Sequence, residues 1–268
     1  MIDCLYRRLP GSAPDDGEYA VFESTEGTCS NWDPRIQHGS PPLALLTKAI
    51  EELADGTGLR IGRLTLDILG AIPVATVYVR AWVERPGARI SLMAAEMLAD
   101  RPDGTRRAVA RVTAWLLAPG DTADAATDRY PALVEGEADA VPHAWQGAPG
   151  YLETVSWRRQ ATPGSAAAEA WLSPLVPLVD TEPTTAVQRL AMVVDSANGI
   201  GAALDPQQYL FMNTDTVVHL HRLPSGNDFA LRARGSIGPD GVGVTTAEIF
   251  DRSGFIGTCA QTLLVQRR

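Results

Sequence analysis

Leu64-Thr-Leu-Asp-Ile-Leu-Gly-Ala-Ile-Pro73 is the stretch that decides the fold, because a similar stretch, Asp215-Thr-Val-Val-His-Leu-His-Arg-Leu-Pro224, follows in the second half of the chain. Apolar residues at 64, 66 and 68 alternate with polar ones, which predicts a β-strand with one buried face. Residues 112–118 and 259–265 form a second similar pair. The chain of 268 residues therefore reads as two copies of one folding unit.

Each copy has one helical pattern, preceded by extended segments and followed by four strand patterns. Apolar residues at three- and four-residue steps predict a first helix that begins near Pro41 with Ser40 as its N-cap. A period of 3.6 predicts one continuous second helix from Val187 to Leu204. The predicted strands are 19–24, 60–69, 75–84, 89–99 and 107–118, then 151–160, 168–174, 213–222, 228–236, 243–250 and 255–266. A duplicated α+β unit explains this order better than one irregular mixed domain.

Residues 119–150 separate the two copies. This stretch is rich in Ala, Asp, Gly and Pro, and it carries six acidic residues against one arginine without sustained periodicity. We therefore predict one domain in residues 1–118, an exposed acidic linker in 119–150 and a second domain in 151–268.

Composition excludes several kinds of partner. The net charge of −9 argues against nucleic acid and against an anionic membrane surface, both of which select basic proteins. A small anionic ligand is still compatible with that charge, because a local basic or amide-rich pocket can hold one. The three cysteines are widely spaced, which predicts neither a disulfide framework nor a zinc site. No signal peptide or membrane span is visible, so we expect a cytoplasmic location.

The duplicated helix-plus-strands unit resembles the double-hotdog thioesterases, in particular bacterial acyl-CoA thioesterase II and related actinobacterial thioesterase-like proteins. The likeness covers the chain outside the linker, and it is carried by Asn31-Trp-Asp-Pro-Arg-Ile-Gln-His-Gly39, the segment 63–73, Leu190-Ala-Met-Val-Val-Asp195, the segment 213–222 and Thr258-Cys-Ala-Gln-Thr-Leu-Leu264. It implies an α+β tandem hotdog, each half a central helix wrapped by an antiparallel sheet, with the two sheets continuous. It also implies a homo-oligomeric acyl-CoA thioesterase that acts on a fatty acyl-CoA without a cofactor.

The resemblance further implies a non-covalent site. In thioesterase II this site combines an Asp on the second helix, a Gln on the last strand and a Thr at the start of the strand after the helix. Asp195 and Gln261 match the first two, whereas the third position falls on Asn213, with Thr214 adjacent. We expect Asp195 to act as general base or water-positioner, Gln261 to hold the water and Asn213 to support either.

Backbone N–H groups at a helix start are candidates for holding the oxyanion of the reaction. His38-Gly39-Ser40 is the best position, and Gly39 is expected to let the substrate carbonyl approach closely. His38, Gly39 and Thr214 are therefore the predicted substrate-binding residues. His219 and His221 share one strand face, but no third ligand is visible, so no metal site is predicted.

Two other functions stay open on the sequence alone. A hotdog enoyl-CoA hydratase resembles the chain in fold and spaces an Asp and a His as Asp33 and His38 are spaced, although the Asn-Pro of that motif is missing. A non-catalytic acyl-CoA or lipid-binding hotdog protein would accommodate Asn213. In the first half Ala114 stands at the position of Gln261, which suggests that this half has no second site. No G-x-S-x-G elbow, P-loop or H-E-x-x-H motif is present.

Overall fold

The computed structural model describes residues 2–10, 19–128, 130–140, 150–162 and 164–268. In this part of the chain the two halves have matching element order. The first half consists of β1 (Tyr6–Arg8), β2 (Ala20–Ser24), α1 (Ser40–Ala54), β3 (Arg60–Ile68), β4 (Thr76–Arg85), β5 (Ile90–Asp100) and β6 (Arg106–Leu117). The second consists of β7 (Val155–Gln160), β8 (Ala168–Pro174), α2 (Ala186–Val194), α3 (Ala197–Ile200), β9 (Tyr209–Asn213), β10 (Asp215–Leu220), β11 (Phe229–Ile237), β12 (Val242–Asp251) and β13 (Gly254–Arg267).

The described strands form one antiparallel sheet in the order β1-β2-β4-β5-β6-β3-β10-β13-β12-β11-β8-β7, with β9 paired to β13. The two strands with repeated sequence, β3 and β10, pair with each other at its centre, with Leu64 opposite Val218 and Leu66 opposite Thr216. Six strands on one side therefore belong to the first half and six on the other side to the second. The predicted tandem hotdog with a continuous sheet is confirmed.

Helices α1 and α2 pack against each other and against one face of the sheet, where apolar residues of both halves form a single core. Helix α1 carries Pro41 and Pro42 in its first turn, where a missing N–H costs no hydrogen bond. Its N-cap is Gly39, and Ser40 is its first residue rather than the predicted cap. Helix α2 starts with a capping box in which Thr185 and Gln188 exchange hydrogen bonds. None of the described helices is long and apolar enough to span a membrane.

The second helix is interrupted at Asp195 and Ser196, although the sequence predicted one continuous helix. The apolar period runs across the break because α2 and α3 bury their side chains in the same core. At the break the Ser196 N–H bonds to the carbonyl of Val193, and the hydroxyl of Tyr151 donates to the carbonyl of Met192 at 2.8 Å. A helix end can stay buried because outside donors satisfy its carbonyls in this way. Asp195 consequently stands at the end of a helix.

Part of the predicted linker packs against the second half. The ring of Tyr130 lies 5.1 Å from that of Phe255. Glu135 accepts hydrogen bonds from Arg158 at 2.8 Å and from Arg252 at 2.6 Å. This segment therefore contacts the second half although most of its described residues are exposed, and residues 129 and 141–149 lie outside the described part. The boundaries 1–118, 119–150 and 151–268 stay a prediction.

Candidate active site

A cavity of about 530 Å³ opens between the start of α1, the end of α2 and strand β9. Residues of both halves line it, and its wall is largely apolar. The apolar lining consists of Trp32, Ile36, Ile68, Ile72, Leu152, Trp157, Ile200, Phe211, Met212 and Leu264. Polar and charged side chains on the wall include His38, Asp195, Asn198, Asn213, Thr214 and Arg159.

Asp195 is the acidic group at the centre of this site and is only 3% exposed. Its Oδ1 accepts hydrogen bonds from Asn213 Nδ2 at 2.7 Å, from Gln261 Nε2 at 3.1 Å and from the hydroxyl of Thr216. Three donors saturate one carboxylate oxygen. Oδ2 receives no hydrogen bond from the described residues and lies 3.7 Å from His38 Nδ1. One oxygen thus anchors the carboxylate, and the other is left for a ligand.

Gln261 on β13 joins the helix end to the sheet. Its Nε2 also donates to the main-chain carbonyl of Asp195 at 2.9 Å and to Thr216 Oγ1 at 3.0 Å. Its Oε1 is buried and has no hydrogen-bond partner within the described part of the chain. Because a buried acceptor without a partner is costly, this oxygen favours a bound water or ligand. The structure thus brings Asp195, Gln261 and Asn213 together.

Thr216 is a site residue that the sequence analysis missed. We had placed the threonine position of the resemblance at Asn213, but β9 ends there and β10 begins at Asp215. Thr216, the second residue of β10, is fully buried, and it supplies the hydroxyl. The available signal was alternation, since Thr216 shares the buried face of the strand with Val218. Thr214 lines the cavity but is exposed, and its hydroxyl bonds to Asp215 at 3.2 Å.

His38 presents a neutral imidazole to the cavity. Its Nδ1 accepts the backbone N–H of Ser40 at 3.1 Å, which places the ring proton on Nε2. Burial lowers the pKa of His38, and the nearby charge of Asp195 only partly opposes this effect. The resulting Nε2–H group is a hydrogen-bond donor.

Tyr151, which the sequence analysis also missed, holds His38 and both helix ends in place. Its ring stacks on that of His38 with centroids 3.9 Å apart and an angle of 11° between the planes. Its hydroxyl contacts Ser40 Oγ at 3.1 Å and Ser196 Oγ at 2.9 Å. Burial raises the pKa of Tyr151, so the hydroxyl stays protonated. Tyr151 follows directly after the predicted linker and begins the predicted strand 151–160, whereas in the structure β7 begins at Val155.

Gly39 makes room for Asp195. A β-carbon at position 39 would lie 2.4 Å from Asp195 Oδ2, closer than any real contact. The carboxylate of Asp195 occupies the space beside the Gly39 α-carbon, and the close approach of the substrate carbonyl to Gly39 stays a prediction. The Gly39 N–H has no hydrogen-bond partner among the described residues, whereas that of Ser40 is used by His38. Gly39 thus keeps one free donor at the start of α1.

Other predicted features lie away from this arrangement. Asp33 does not line the cavity; hydrogen bonds from Arg35 lower its pKa to about 2, with the closest atoms 2.7 Å apart. The Asp–His pair of a hotdog hydratase is therefore not formed at the cavity. His219 is exposed on β10, and the described residues contain no group of three or more potential metal ligands. In the first half, Ala114 stands at the position of Gln261 and pairs with Leu64 on β3, so these two paired positions carry apolar side chains.

Two family models match the chain. The acyl-CoA thioesterase N-terminal domain matches residues 28–117, and the acyl-CoA thioesterase C-terminal domain matches residues 121–265. The chain belongs to the acyl-CoA thioesterase family and is a thioester hydrolase. Its small-molecule substrate is an acyl-CoA.

Solved structures share the fold over nearly the whole chain. A hot dog protein of unknown function from Alicyclobacillus acidocaldarius is 15% identical, with 94% of this chain and 95% of that chain covered and a TM-score of 0.68. The TesB protein of Mycobacterium avium subspecies paratuberculosis is 12% identical, with 93% of each chain covered and a TM-score of 0.65. An acyl-CoA thioesterase II from Mycobacterium marinum is 14% identical, with 92% of each chain covered and a TM-score of 0.63. A search of curated proteins gave no match.

Proposed function

We propose that the protein hydrolyses fatty acyl-CoA to free acid and CoA, and that Asp195 directs the attacking water. One observation carries this proposal: Asp195 lines the cavity with its Oδ1 saturated by three donors, whereas its Oδ2 accepts no hydrogen bond from the described residues. A carboxylate held through one oxygen keeps the other at a fixed position. That arrangement suits a general base, which must be within hydrogen-bond reach of the proton it takes.

The proposed reaction needs only water and residues of the chain. Asp195 Oδ2 takes a proton from a water molecule while the water oxygen bonds to the thioester carbonyl carbon. The carbonyl electron pair moves to the oxygen, where His38 Nε2–H and the free Gly39 N–H donate to the oxyanion. The pair then returns, the carbon–sulfur bond breaks, and the CoA thiolate takes the proton back from Asp195. Gln261 Oε1 accepts the second hydrogen of the water.

The acyl group belongs on the apolar part of the wall. Trp32, Phe211 and Ile200 lie there, and burial of methylene groups against such residues contributes about 0.8 kcal/mol per group. The cavity volume of about 530 Å³ lies within the usual range for a small-molecule site. These two features support a fatty acyl chain as the substrate group. The CoA thioester is then the substrate, and the scheme uses no cofactor.

The test follows free thiol during incubation with acyl-CoAs of increasing chain length. We expect Asp195→Asn to lower kcat by about 10²- to 10⁴-fold, because the amide cannot take the proton of the water. Asp240→Asn, on an exposed turn outside the cavity, is the control for loss of an acidic side chain. Undiminished thiol release by Asp195→Asn rejects the role of Asp195. Hydration of crotonyl-CoA without thiol release indicates a hydratase, and tight binding without either reaction indicates a binding protein.

A further inference from the structure

Arg159 is a cation on the cavity wall that forms no ion pair with the residues the structure describes. It lies on the edge strand β7 and is half-buried. Its Nε is buried and makes no hydrogen bond, and no carboxylate of the described residues pairs with its guanidinium. A buried guanidinium nitrogen without an acceptor is unfavourable, since its desolvation is not compensated.

Two other arginines, unlike Arg159, have hydrogen-bond partners in the described chain. Arg158, next to it on β7, pairs with Glu135 at 2.8 Å and also with Asp228. Arg107, beside the cavity, donates to the carbonyl of Ala71 at 3.4 Å. Arg159 is different because its side chain is directed to the cavity instead of to a carboxylate of the chain.

The acidic residues on the same wall do not neutralise Arg159. Asp195 is held by Asn213, Thr216 and Gln261 through its Oδ1. Glu153 lines the cavity but is exposed and forms no ion pair with Arg159. In a chain of net charge −9, a cation free of protein carboxylates is the feature that an anionic ligand requires.

We propose that Arg159 binds an anionic oxygen group of the substrate, either a phosphate of CoA or a carboxylate at the far end of the acyl group. The planar guanidinium presents paired donors that match phosphate and carboxylate oxygens. The inference rests on the proposed function, because it names a recognition element for the same acyl-CoA.

The experiment compares three substrates with the same six-carbon acyl length: hexanoyl-CoA, hexanoyl-N-acetylcysteamine, which lacks all phosphates, and adipoyl-CoA, which ends in a carboxylate. We expect Arg159→Gln to lower kcat/KM roughly 10- to 100-fold, as expected for a hydrogen bond to a charged group. A loss on both CoA esters but not on the cysteamine ester identifies the phosphate. A loss on adipoyl-CoA alone identifies the carboxylate.

The controls separate recognition of charge from damage to the fold. Arg159→Lys keeps the charge and should recover part of the loss, and Arg234→Gln, an exposed arginine outside the cavity, should leave all three rates unchanged. An equal loss on all three substrates, or no loss on any, overturns the proposal. Calorimetric binding of hexanoyl-CoA and adipoyl-CoA analogues with a methylene in place of sulfur gives a readout independent of turnover. A raised Kd in Arg159→Gln thus supports the inference even if the wild type hydrolyses nothing. A Kd equal to that of the wild type for both analogues rejects it.

Discussion

Replacing Gly39 with alanine tests the centre of the proposed site by adding one methyl group. The new carbon would lie 2.4 Å from Asp195 Oδ2 and 2.8 Å from Cγ, whereas ordinary contacts begin near 3.4 Å. The carboxylate must therefore retreat by about 1 Å, because the backbone of the helix start cannot move without disturbing the packed core. That retreat stretches the hydrogen bonds from Asn213 and Gln261, which are 2.7 and 3.1 Å long.

The expected consequence is a loss of turnover without a loss of fold. Misplacement of a reacting group by 1 Å costs roughly 10²-fold in rate, so kcat/KM of Gly39→Ala should fall by about that factor. Gly39 has φ −68° and ψ −26°, which alanine adopts without strain. Alanine also lowers the conformational entropy of the unfolded chain, which stabilises the folded state by roughly 0.4–1 kcal/mol. This gain offsets part of the free-energy cost of the stretched hydrogen bonds. The melting temperature should therefore shift by only a few degrees.

The assay measures free thiol from hexanoyl-CoA over a range of substrate concentrations, with thermal unfolding of the same samples. Gly199→Ala is the matched control, because Gly199 lines the same cavity but a β-carbon there would meet no atom within 4 Å. We expect Gly199→Ala to keep wild-type kcat/KM. Wild-type kcat/KM in Gly39→Ala would refute the reasoning, since the clash would then have no effect on the reaction.

Three further predictions concern groups around the site and the fold. Thr216→Val should lower kcat by roughly 10- to 100-fold in the thiol assay, because Asp195 loses a hydrogen-bond donor. Thr216→Ser keeps the hydroxyl and should keep most of the activity. Equal rates for the two variants would contradict this prediction. His38 should still be neutral at pH 6.5, because burial lowers its pKa. The contribution of the neutral ring to stability is lost at more acidic pH, where His38 becomes charged. A half-protonated ring at pH 6.5 by nitrogen NMR would contradict this prediction. Arg222→Gln should lower the free energy of unfolding by about 2 kcal/mol in urea titrations, because the buried carboxylate of Asp251 loses its paired guanidinium. The loss is limited because Ser225 still donates to Asp251. An unchanged urea midpoint would contradict this prediction.

The order of helices and strands was predictable because its signals are local. Alternation gave most strands to within about two residues, and 168–174 matches β8, but the predicted strand 151–160 was wrong at its start because residues 151–154 form a 3-10 turn before β7. The short strands β1 and β9 were missed, since three to five residues are too few to show a period. The break at Asp195 was missed for another reason: the apolar stripe continues across it, and the side chains that donate to the carbonyls of the helix end, Tyr151 and Gln261, are distant in the sequence.

The sequence predicted the site residues whose positions the resemblance fixes. It did not predict those whose role depends on how distant segments meet in the folded structure. Asp195 and Gln261 were named from the likeness, and they do lie in hydrogen-bond contact. Thr216 needed the knowledge of where β10 begins, which a boundary uncertain by two residues cannot supply. The role of Tyr151 depends on its contact with Ser40, which is 111 residues away in the sequence and which no local pattern encodes. The tautomer of His38 follows from the N–H of Ser40, only two residues away, but that contact requires the backbone geometry of the helix start.

Covalent fusion of the two halves has a consequence that the paired strands β3 and β10 make concrete. In an assembly of two identical short chains, every substitution occurs twice. A substitution that inactivates one active site therefore inactivates both. In this chain each half carries its own side chains: Leu64 and Ala114 pair as apolar residues, whereas Gln261 and Thr216 are joined by a hydrogen bond. The fusion allows a division of labour, in which one half supplies packing and a helix start and the other supplies the acid.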